Sequence, residues 1–395
     1  MNNWNKDRKG YKETKVGWIP KEWEVKKLGG ITTITRLAGY EYSKYWEEAD
    51  EGDILALKGF NIGKNKIINR SFKFITNSLS LKLNRSRLQK GDVVFPCVGT
   101  IGNALVINEN DKYHINQNLA RITPSSTIKA DYLCQFLMSR FCKKEIHRFN
   151  ATTSQPNVLV GSLRQFRIPI PPLKEQEKIA QILSTADKNI QLHQDKLKLL
   201  KKQKKALMQK LLSGKTRFPE FGGEWTKEKI ENIVHISYGK SQKEVLDSNG
   251  QIPIYGTSGI FQYANKALCD KPAILLGRKG TIDNPILVMT PFWAIDTTFY
   301  LVPLSLIDLR WLFQRLSLVS WRRYNEASGV PSLNRKTISQ IKIPLPTLPE
   351  QRKIAEVLST ADQHIQHVQQ KIDLLIQQKK GLMQRLLSGS VRVNS

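Results

Sequence analysis

No stretch of this sequence carries residues in the spacing that a catalytic site requires. The stretch Tyr238–Ser241 (YGKS) ends like a phosphate-binding loop, but position 234 is valine where that loop has its first glycine. The stretch that starts at Gly59 (GFNIGKN) is one residue short of the same motif and ends in asparagine. Asp283 opens DNPI, which lacks the Pro-Pro-aromatic pattern of amino-methyltransferases. The sequence therefore predicts a protein with no catalytic residues of its own.

Metal binding and disulfide bonding have equally little support in the sequence. The four cysteines, Cys97, Cys134, Cys142 and Cys269, form no CxxC pair and no cluster with histidine. Isolated cysteines of this kind are usually small buried apolar residues. We therefore predict no metal site and no disulfide.

The charge balance indicates binding rather than chemistry. The 395 residues include 62 Lys and Arg against 34 Asp and Glu, which gives a formal net charge of +28 and a pI of about 9.9. Nucleic acid is the leading partner because distributed cations release the counterions of its phosphates. A basic surface kept for solubility is the alternative. An anionic membrane fits less well because no basic amphipathic segment stands beside an anchor.

Cations and side-chain amides in the predicted loops are the candidate contacts to nucleic acid. Arginine can bind guanine through two N–H groups, and Asn or Gln can bind adenine with matched geometry. The candidates are Lys58, Lys64, Lys66, Arg70, Arg85, Arg87, Asn103, Gln117, Asn118, Gln262, Arg278, Lys279, Arg322 and Arg323.

A long internal repeat sets the organisation of the chain. The 51 residues from Ile168 and the 51 residues from Ile343 are identical at 31 positions, which chance does not produce. A weaker echo places Trp23 opposite Trp225 near the start of each half. Each half therefore consists of a lead with a tryptophan, a variable block and a repeated block.

Each repeated block predicts one long helix. Prolines in IPIPP and IPLPT exclude helix, so the helices should begin near Glu175 and Glu350 and end at Gly214 and Gly389. Between these points apolar residues recur at alternating spacings of four and three, a heptad seam that one helix alone cannot bury. The seam residues expected to pair the helices are Leu183, Ile190, Leu197, Leu200, Leu207, Leu358, Ile365, Ile372, Leu375 and Leu382.

We expect the two helices to pack antiparallel, because a chain that repeats a domain and returns to its start closes most easily in that way. Lys204 then lies near Ala361 and Lys379 near Ala186, with stems that extend to solvent. These lysines either fix the register or mark a frayed end of the seam. A second apolar stripe suggests a further neighbour; it contains Ile182, Leu199, Met208, Leu212, Val357, Leu374, Met383 and Leu387.

The variable blocks, about 32 to 149 and 234 to 324, are predicted as mixed α/β structures with short strands and glycine-rich turns. They share a plan, since the GTI that starts at Gly99 matches the GTI that starts at Gly280, but they differ in surface residues. Two modules of one fold that read different sequences are expected to differ in this manner, although duplication followed by drift would look the same.

On these residues the chain resembles the specificity (S) subunits of type I restriction-modification systems. The resemblance is based on the two copies of IPxPxLxEQxKIAxxLSTAD, together with GDVVFPCVGTIGNALV in the first block and IPIYGTSGIFQYAN in the second. The resemblance covers essentially the whole chain. It implies an α+β fold with two α/β target recognition domains, two long antiparallel coiled-coil helices between them and an approximate internal two-fold axis. The implied domains are an N-terminal lead (1–31), a first target recognition domain (32–167), a central helical region (168–217), a second target recognition domain (218–342) and a C-terminal helical region (343–395).

The resemblance also implies the function and the partners. Each target recognition domain would read one half of a bipartite double-stranded DNA site, and the helices would set the spacing and dock two methyltransferase subunits. Two restriction subunits would complete the complex. The cofactors S-adenosylmethionine, ATP and Mg²⁺ would be used by those partner subunits, and this chain would hold none.

The N-terminal residues contain no apolar segment of the signal-peptide type, so we expect a cytoplasmic protein. Two other functions stay open at this point. One is a regulator that binds specific DNA without partners, and the other is a nuclease or other enzyme whose site the motifs do not reveal.

Overall fold

The computed structural model describes residues 5–149 and 157–393. The chain divides into two compact units, and each unit takes half of each long helix. Unit 1 consists of Met1–Leu192 and Ile372–Ser395, and unit 2 consists of His193–Lys371.

Unit 1 is built around a four-stranded antiparallel sheet, β4-β10-β7-β8, beside a three-stranded sheet, β6-β5-β9. Strands β5 and β9 run parallel, while β1 with β2 and β3 with β11 form two antiparallel ribbons. The elements are β1 (Tyr11–Thr14), β2 (Gly17–Pro20), β3 (Glu24–Lys27), β4 (Thr32–Thr35), α1 (Gly39–Tyr45), β5 (Ile54–Leu57), β6 (Phe74–Ile75), α2 (Asn77–Lys82), β7 (Val93–Pro96), β8 (Leu105–Val106), β9 (Tyr113–Ile115), β10 (Leu119–Pro124), α3 (Ala130–Leu137), α4 (Arg140–Phe149), α5 (Val160–Arg164), β11 (Arg167–Ile170) and the start of α6 (Leu173–Leu211).

Unit 2 repeats this plan with fewer elements. Its sheets are β13-β19-β16-β17 and β15-β14-β18, with β14 and β18 parallel, and β12 pairs with β20 as β3 pairs with β11. The elements are β12 (Thr226–Lys229), β13 (Val234–Tyr238), β14 (Ile252–Gly256), β15 (Gly259–Ala264), β16 (Ala273–Gly277), β17 (Ile286–Val288), β18 (Trp293–Ala294), β19 (Thr298–Pro303), α7 (Leu309–Leu316), α8 (Arg335–Gln340), β20 (Lys342–Leu345) and α9 (Leu348–Leu387).

The core of each unit includes side chains from both long helices. In unit 1 the sheet packs on Leu183 of α6 and Leu387 of α9, both fully buried. In unit 2 the corresponding core contains Leu212, just past the end of α6, and Leu358 of α9, also fully buried. The α/β block of each unit therefore uses the helices as one wall of its core.

The helix ends follow the signals in the sequence. Gly214 and Gly389, just beyond α6 and α9, have φ angles of +72° and +67°. Such left-handed backbone suits glycine and ends a helix. The predicted α+β class with two long helices is confirmed.

Three of the four cysteines are buried, and all four are free thiols. Burial raises the pKa of Cys97 to about 12. Across residues 5–149 and 157–393, no group of histidine, cysteine and carboxylate side chains could hold a metal ion. No helix in that part of the chain has the length and apolar composition to span a bilayer.

Candidate nucleic-acid interface and helix clamp

A buried carboxylate in the first turn of α6 binds two groups that lie far away in the chain. Glu175 accepts hydrogen bonds from Nε1 of Trp23 at 3.0 Å and from Nε and Nη2 of Arg392, each at 2.8 Å. Its side chain is only 3% exposed, and the hydrogen bonds of Arg392 to Glu175, together with one to Glu22, raise the pKa of Arg392. The lead, α6 and the segment after α9 are therefore joined in unit 1 at one carboxylate.

The same arrangement recurs in unit 2. Glu350, in the first turn of α9, accepts from Nε1 of Trp225 at 3.1 Å and from Nε and Nη2 of Arg217 at 2.9 and 2.8 Å. Its side chain is 1% exposed, and the hydrogen bond to Glu350 raises the pKa of Arg217.

The residue after each of these two glutamates is a glutamine, and it binds the loop that precedes a helix of the α/β block, α3 in unit 1 and α7 in unit 2. The Gln176 amide accepts from the Lys129 backbone N–H at 2.9 Å and donates to the Pro171 carbonyl at 2.9 Å. In unit 2, Gln351 accepts from the Asp308 N–H at 2.8 Å and donates to the Pro346 carbonyl at 2.9 Å.

A third repeated residue joins the two long helices to a block helix. The Asp187 carboxylate accepts from Nε2 of Gln135 on α3 at 3.1 Å and from Nζ of Lys379 on α9 at 2.5 Å. In unit 2, Gln314 of α7 donates to Asp362 at 2.7 Å, and Lys204 pairs with Asp362 at 2.6 Å. We use the name polar clamp for these three repeated residues together with their hydrogen-bond partners. The clamp residues are Glu175, Gln176 and Asp187 in the first copy and Glu350, Gln351 and Asp362 in the second.

The lysine contacts define the helix register. Lys379 reaches Asp187, next to the predicted Ala186, and Lys204 reaches Asp362, next to the predicted Ala361. A second contact gives the direction: Glu175, earlier in the chain than Asp187, binds Arg392, later in the chain than Lys379. The helix halves therefore run antiparallel in unit 1, and the pairs Lys204–Asp362 and Arg217–Glu350 give the same result in unit 2. The expectation that these lysines extend to solvent is wrong: their side chains are 11% and 17% exposed because a carboxylate on the facing helix pairs with each.

The predicted seam residues lie away from solvent. Leu183, Leu358 and Ile372 are buried, and the other seven are half-buried. The second stripe divides, because Met208 is buried at one end whereas Leu199 and Leu374 are 55% and 47% exposed. Leu199 and Leu374 occupy the same position in the two copies of the repeat.

Half of the candidate contact residues come together on three neighbouring loops of unit 1, 58–73, 98–103 and 116–118, which we call tip 1. Thr100 Oγ1 donates to the Gly59 carbonyl at 2.7 Å, and the Cys97 N–H donates to the Asn118 carbonyl at 2.9 Å. The candidates on tip 1 are Lys58, Lys64, Lys66, Arg70, Asn103, Gln117 and Asn118.

These side chains differ in how much of their hydrogen-bonding capacity is used inside the protein. Lys58 pairs with Glu48 at 2.5 Å, and Asn103 donates to the Ile62 carbonyl at 2.9 Å. Lys66 donates to Gln191 at 2.6 Å, while the exposed Arg70 lies over the ring of Phe60. Lys64 is exposed and Gln117 and Asn118 are half-buried.

The structure places Arg85 and Arg87 outside tip 1. Arg85 is exposed and donates through Nη2 to the Arg36 carbonyl at 3.1 Å. Arg87 is 6% exposed, and its Nε donates to Asp111 at 2.7 Å. Arg87 thus has an internal partner and little surface to offer.

The corresponding loops of unit 2, 257–258, 278–284 and 295–297, form tip 2. The Arg278 N–H donates to the Thr297 carbonyl at 2.8 Å, and its guanidinium donates to the Asp296 carbonyl at 3.0 Å. A Cβ on Gly277 would lie 1.9 Å from the Thr281 carbonyl oxygen, so the loop can close only on glycine. Lys279 is exposed on this loop.

The remaining candidates of unit 2 surround tip 2. Arg322 pairs with Asp283 at 2.5 Å but is 74% exposed, and Arg323 is exposed. Gln262 is exposed on β15 between Phe261 and Tyr263, each 49% exposed. These two aromatic residues could not be identified as surface residues from the sequence, because the pattern of a strand does not tell which of its faces is covered.

The fold and its surfaces define a class of protein: two α/β blocks with different basic tips, each clamped to the same kind of antiparallel helix pair. The model of the family described as type I restriction modification DNA specificity domain matches the chain twice, at residues 20–202 and 222–377. The chain therefore belongs to this family, and the predicted class, a DNA-specificity subunit of the type I restriction system, is confirmed.

Curated relatives agree with this assignment, and a solved structure is similar in fold. The chain is 25% identical to a putative type I restriction enzyme MjaX specificity subunit of Methanocaldococcus jannaschii, over 98% of this chain and 97% of that one. It is 30% identical to the MjaVIII specificity subunit of the same organism over 53% of this chain and 50% of that one. The crystal structure of an S subunit from M. genitalium has a TM-score of 0.62 at 16% identity, covering 92% of this chain and 96% of that one, a likeness of fold.

Proposed function

We propose that this chain selects the DNA site for a type I complex, with unit 1 reading one half of a bipartite site and unit 2 reading the other. The observation that carries the proposal is the repeated polar clamp. Trp23, Arg392 and Gln135 meet one repeat, and Trp225, Arg217 and Gln314 meet the other. Identical attachments combined with dissimilar tips suit a scaffold that presents two readers.

The long helices set the distance between the two half-sites in this proposal. Each helix is continuous and contributes one half to each unit: α6 has 39 residues and α9 has 40. A continuous α-helix is stiff and rises about 1.5 Å per residue, so its length can define a spacing.

Docking of two methyltransferase subunits follows from the same repeat. The exposed Leu199 in unit 2 and Leu374 in unit 1 offer equivalent apolar points on the two helices. Equivalent points on a repeated scaffold suit two copies of one partner, arranged about an approximate two-fold axis. Restriction subunits would join that complex.

Catalysis belongs to the partners in this proposal. Methylation of a base requires its removal from the duplex into an enzyme pocket, and we assign this step to the methyltransferase subunits. S-adenosylmethionine, ATP and Mg²⁺ are then cofactors of the partner subunits. The purified chain alone should neither methylate nor cleave DNA.

An exchange of blocks tests the division of labour. Residues 32–149 are replaced by the block of another family member, the chain is co-expressed with its methyltransferase partner, and methylated sites are mapped by sequencing. We expect one half-site to change while the other half-site and the spacer persist; exchange of residues 234–324 is the matched control and should change only the other half. A change in both halves after a single exchange would refute modular reading.

A paired insertion tests the spacing in the same assay. The ion pairs place Lys202 opposite His364, because Lys204, two residues later in α6, meets Asp362, two residues earlier in α9. Four residues added after each should lengthen the helix pair by about 6 Å, or about two base pairs of DNA. The spacer should grow with both half-sites intact, and an unchanged spacer would exclude the helices as its determinant.

A further inference from the structure

Unit 1 has a concave surface with a volume of about 570 Å³, lined by residues that are not part of tip 1. It lies between β4, the edge strand of the four-stranded sheet, and the short helix α5. We call it the arginine groove because three arginines contribute to its walls; it is lined by Ile34, Thr35, Arg36, Arg85, Leu159, Val160 and Arg164.

The three guanidinium groups have no acidic partner in the part of the chain that the structure describes. Among the described residues, no carboxylate lies within 4 Å of Arg36, Arg85 or Arg164 as an ion pair. Two other arginines of the unit differ, since Arg87 pairs with Asp111 and Arg121 pairs with Asp92 at 2.8 Å. The groove therefore brings three positive charges together without an ion-pair partner among the described residues.

Hydrogen bonds to the backbone orient two of these guanidinium groups. Arg85 donates through Nη2 to the Arg36 carbonyl at 3.1 Å, and Arg164 donates through Nη2 to the Ile34 carbonyl at 2.9 Å. Each bond uses one of five N–H donors, so several donors stay available on a side chain whose direction is set. Oriented guanidinium groups suit phosphate oxygens, which accept two parallel N–H bonds.

Unit 2 has the equivalent groove, between β13 and α8, with a different electrostatic character. It has a volume of about 400 Å³ and includes His235, Arg335, Lys336 and the carboxylate of Glu231. A hydrogen bond from Gln340, and a weaker one from Lys229, lower the pKa of Glu231, which keeps this carboxylate charged. The unit 2 groove thus places a carboxylate, itself paired with Lys229 at 3.3 Å, beside its two cations, whereas no carboxylate is among the residues that line the arginine groove.

We propose that the arginine groove binds the phosphodiester backbone of DNA next to the half-site that unit 1 reads. Backbone contacts hold a protein in register on the duplex without reading bases, so the groove positions tip 1. Leu159, 57% exposed at the rim, offers an apolar surface to a deoxyribose. This inference rests on the proposed function and adds residues that position the DNA.

The test removes the charges one at a time. Arg36→Gln, Arg85→Gln and Arg164→Gln chains are each purified with the methyltransferase partner, and binding to a duplex that contains the mapped site is measured over a range of salt concentrations. Each substitution should weaken binding by about tenfold, as expected for one charge-assisted hydrogen bond. Each should also lower the slope of log K against log salt by about 1 and leave the methylated sequence unchanged.

A matched control removes the same charge from a cation that already has a partner. Lys129 pairs with Glu177 at 2.5 Å, so Lys129→Gln should leave the salt slope unchanged. Arg85→Lys and Arg164→Lys keep the charge and lose the oriented fork, so they should restore the slope but only part of the affinity. These variants separate loss of phosphate binding from loss of folding.

The possible outcomes are distinct. Unchanged affinity and slope in all three Gln variants, with a wild-type complex that prefers its mapped site, would overturn the groove and leave the proposed function standing. A changed methylated sequence would also overturn it, since the arginines would then read bases. A wild-type complex with no preference for any site would defeat the proposed function and the groove together.

Discussion

In unit 1 the clamp glutamate meets a tryptophan 152 residues before it, and in unit 2 the equivalent glutamate meets a tryptophan 125 residues before it. The contacts are nevertheless the same in kind and nearly the same in length. Between these fixed points the blocks diverge: 16 residues, 58–73, connect β5 to β6, whereas only Thr257 and Ser258 connect β14 to β15. The contacts of each block to the long helices are therefore repeated, whereas the loops of the two tips differ.

The two units also differ in how the end of a long helix meets its lead. In unit 2 the covalent chain leads from the end of α6 at Leu211 through Arg217 to Trp225. In unit 1 the corresponding joint is non-covalent: Tyr11 Oη donates to the Gly389 carbonyl at 2.6 Å and Arg8 donates to the Ser390 carbonyl at 2.8 Å. The first and last described segments therefore pack together in unit 1. The clamp at Glu175 joins two segments that are distant in the chain, whereas the clamp at Glu350 joins residues that the chain already connects.

The largest effect should come from the clamp glutamates. Glu350→Gln removes the carboxylate that pairs with Arg217, and we expect it to lower the free energy of unfolding by about 3 kcal/mol. Glu175→Gln leaves Arg392 with only the more exposed Glu22, and we expect a similar cost because the buried partner is lost. Urea unfolding measures this, with Glu177→Gln as control, because that residue forms only a surface pair with Lys129 and should cost less than about 1 kcal/mol. If either substitution left the free energy of unfolding unchanged, the two clamps would not be equivalent.

A smaller effect should distinguish the two clamp aspartates. Asp187 is 25% exposed with its partner Lys379 at 11%, whereas Asp362 is 42% exposed with Lys204 at 17%. Solvent screening therefore favours the first pair, and we expect Asp187→Asn to cost about 2 kcal/mol and Asp362→Asn about 1 kcal/mol. A double-mutant cycle that adds Lys379→Met or Lys204→Met isolates each pair energy. The reverse order would show that exposure does not control these pairs.

The sequence predicted the parts of the fold that depend on local pattern. Heptad spacing and flanking prolines and glycines gave helices from near Glu175 and Glu350, and the antiparallel register followed to within one residue at Lys204 and Lys379. These features are encoded by neighbours in the chain, so spacing alone reveals them.

The clamp and the arginine groove could not be predicted because their members are distant in sequence. Nothing near Glu175 indicates that Arg392, 217 residues later, will bind it. Arg85 was a candidate contact, but Arg36 and Arg164 were not, since only the fold brings β4 and α5 together. Which tip residues touch bases stays a prediction for the same reason: exposure and charge identify a surface, and a bound duplex selects among its side chains.

The smallest expected effect comes from a buried histidine that only unit 1 has. His114 on β9 is fully buried beside Trp46, whereas the strand equivalent to β9 in unit 2, β18, carries Trp293 at the corresponding place. Burial lowers the pKa of His114 to about 4, opposed by hydrogen bonds to the Ile115 and Leu83 carbonyls and reinforced by Arg87 and Arg121. The unfolded chain therefore takes up this proton near pH 6.5 while the folded chain does not.

The sign of the pH effect follows directly. The contribution of His114 to stability is complete above pH 6.5 and decreases as the pH falls from 6.5 towards 4. At pH 5.5 we expect a loss of about 1 kcal/mol relative to pH 7.5. Urea unfolding of wild type and His114→Gln at the two pH values measures the loss of stability. Proteolysis and identification of the fragments then show which unit unfolds first, and we expect this loss in unit 1 of the wild type only. The exposed His235→Gln is the control, and the same pH dependence in wild type and His114→Gln would assign acid sensitivity to groups that the two units share.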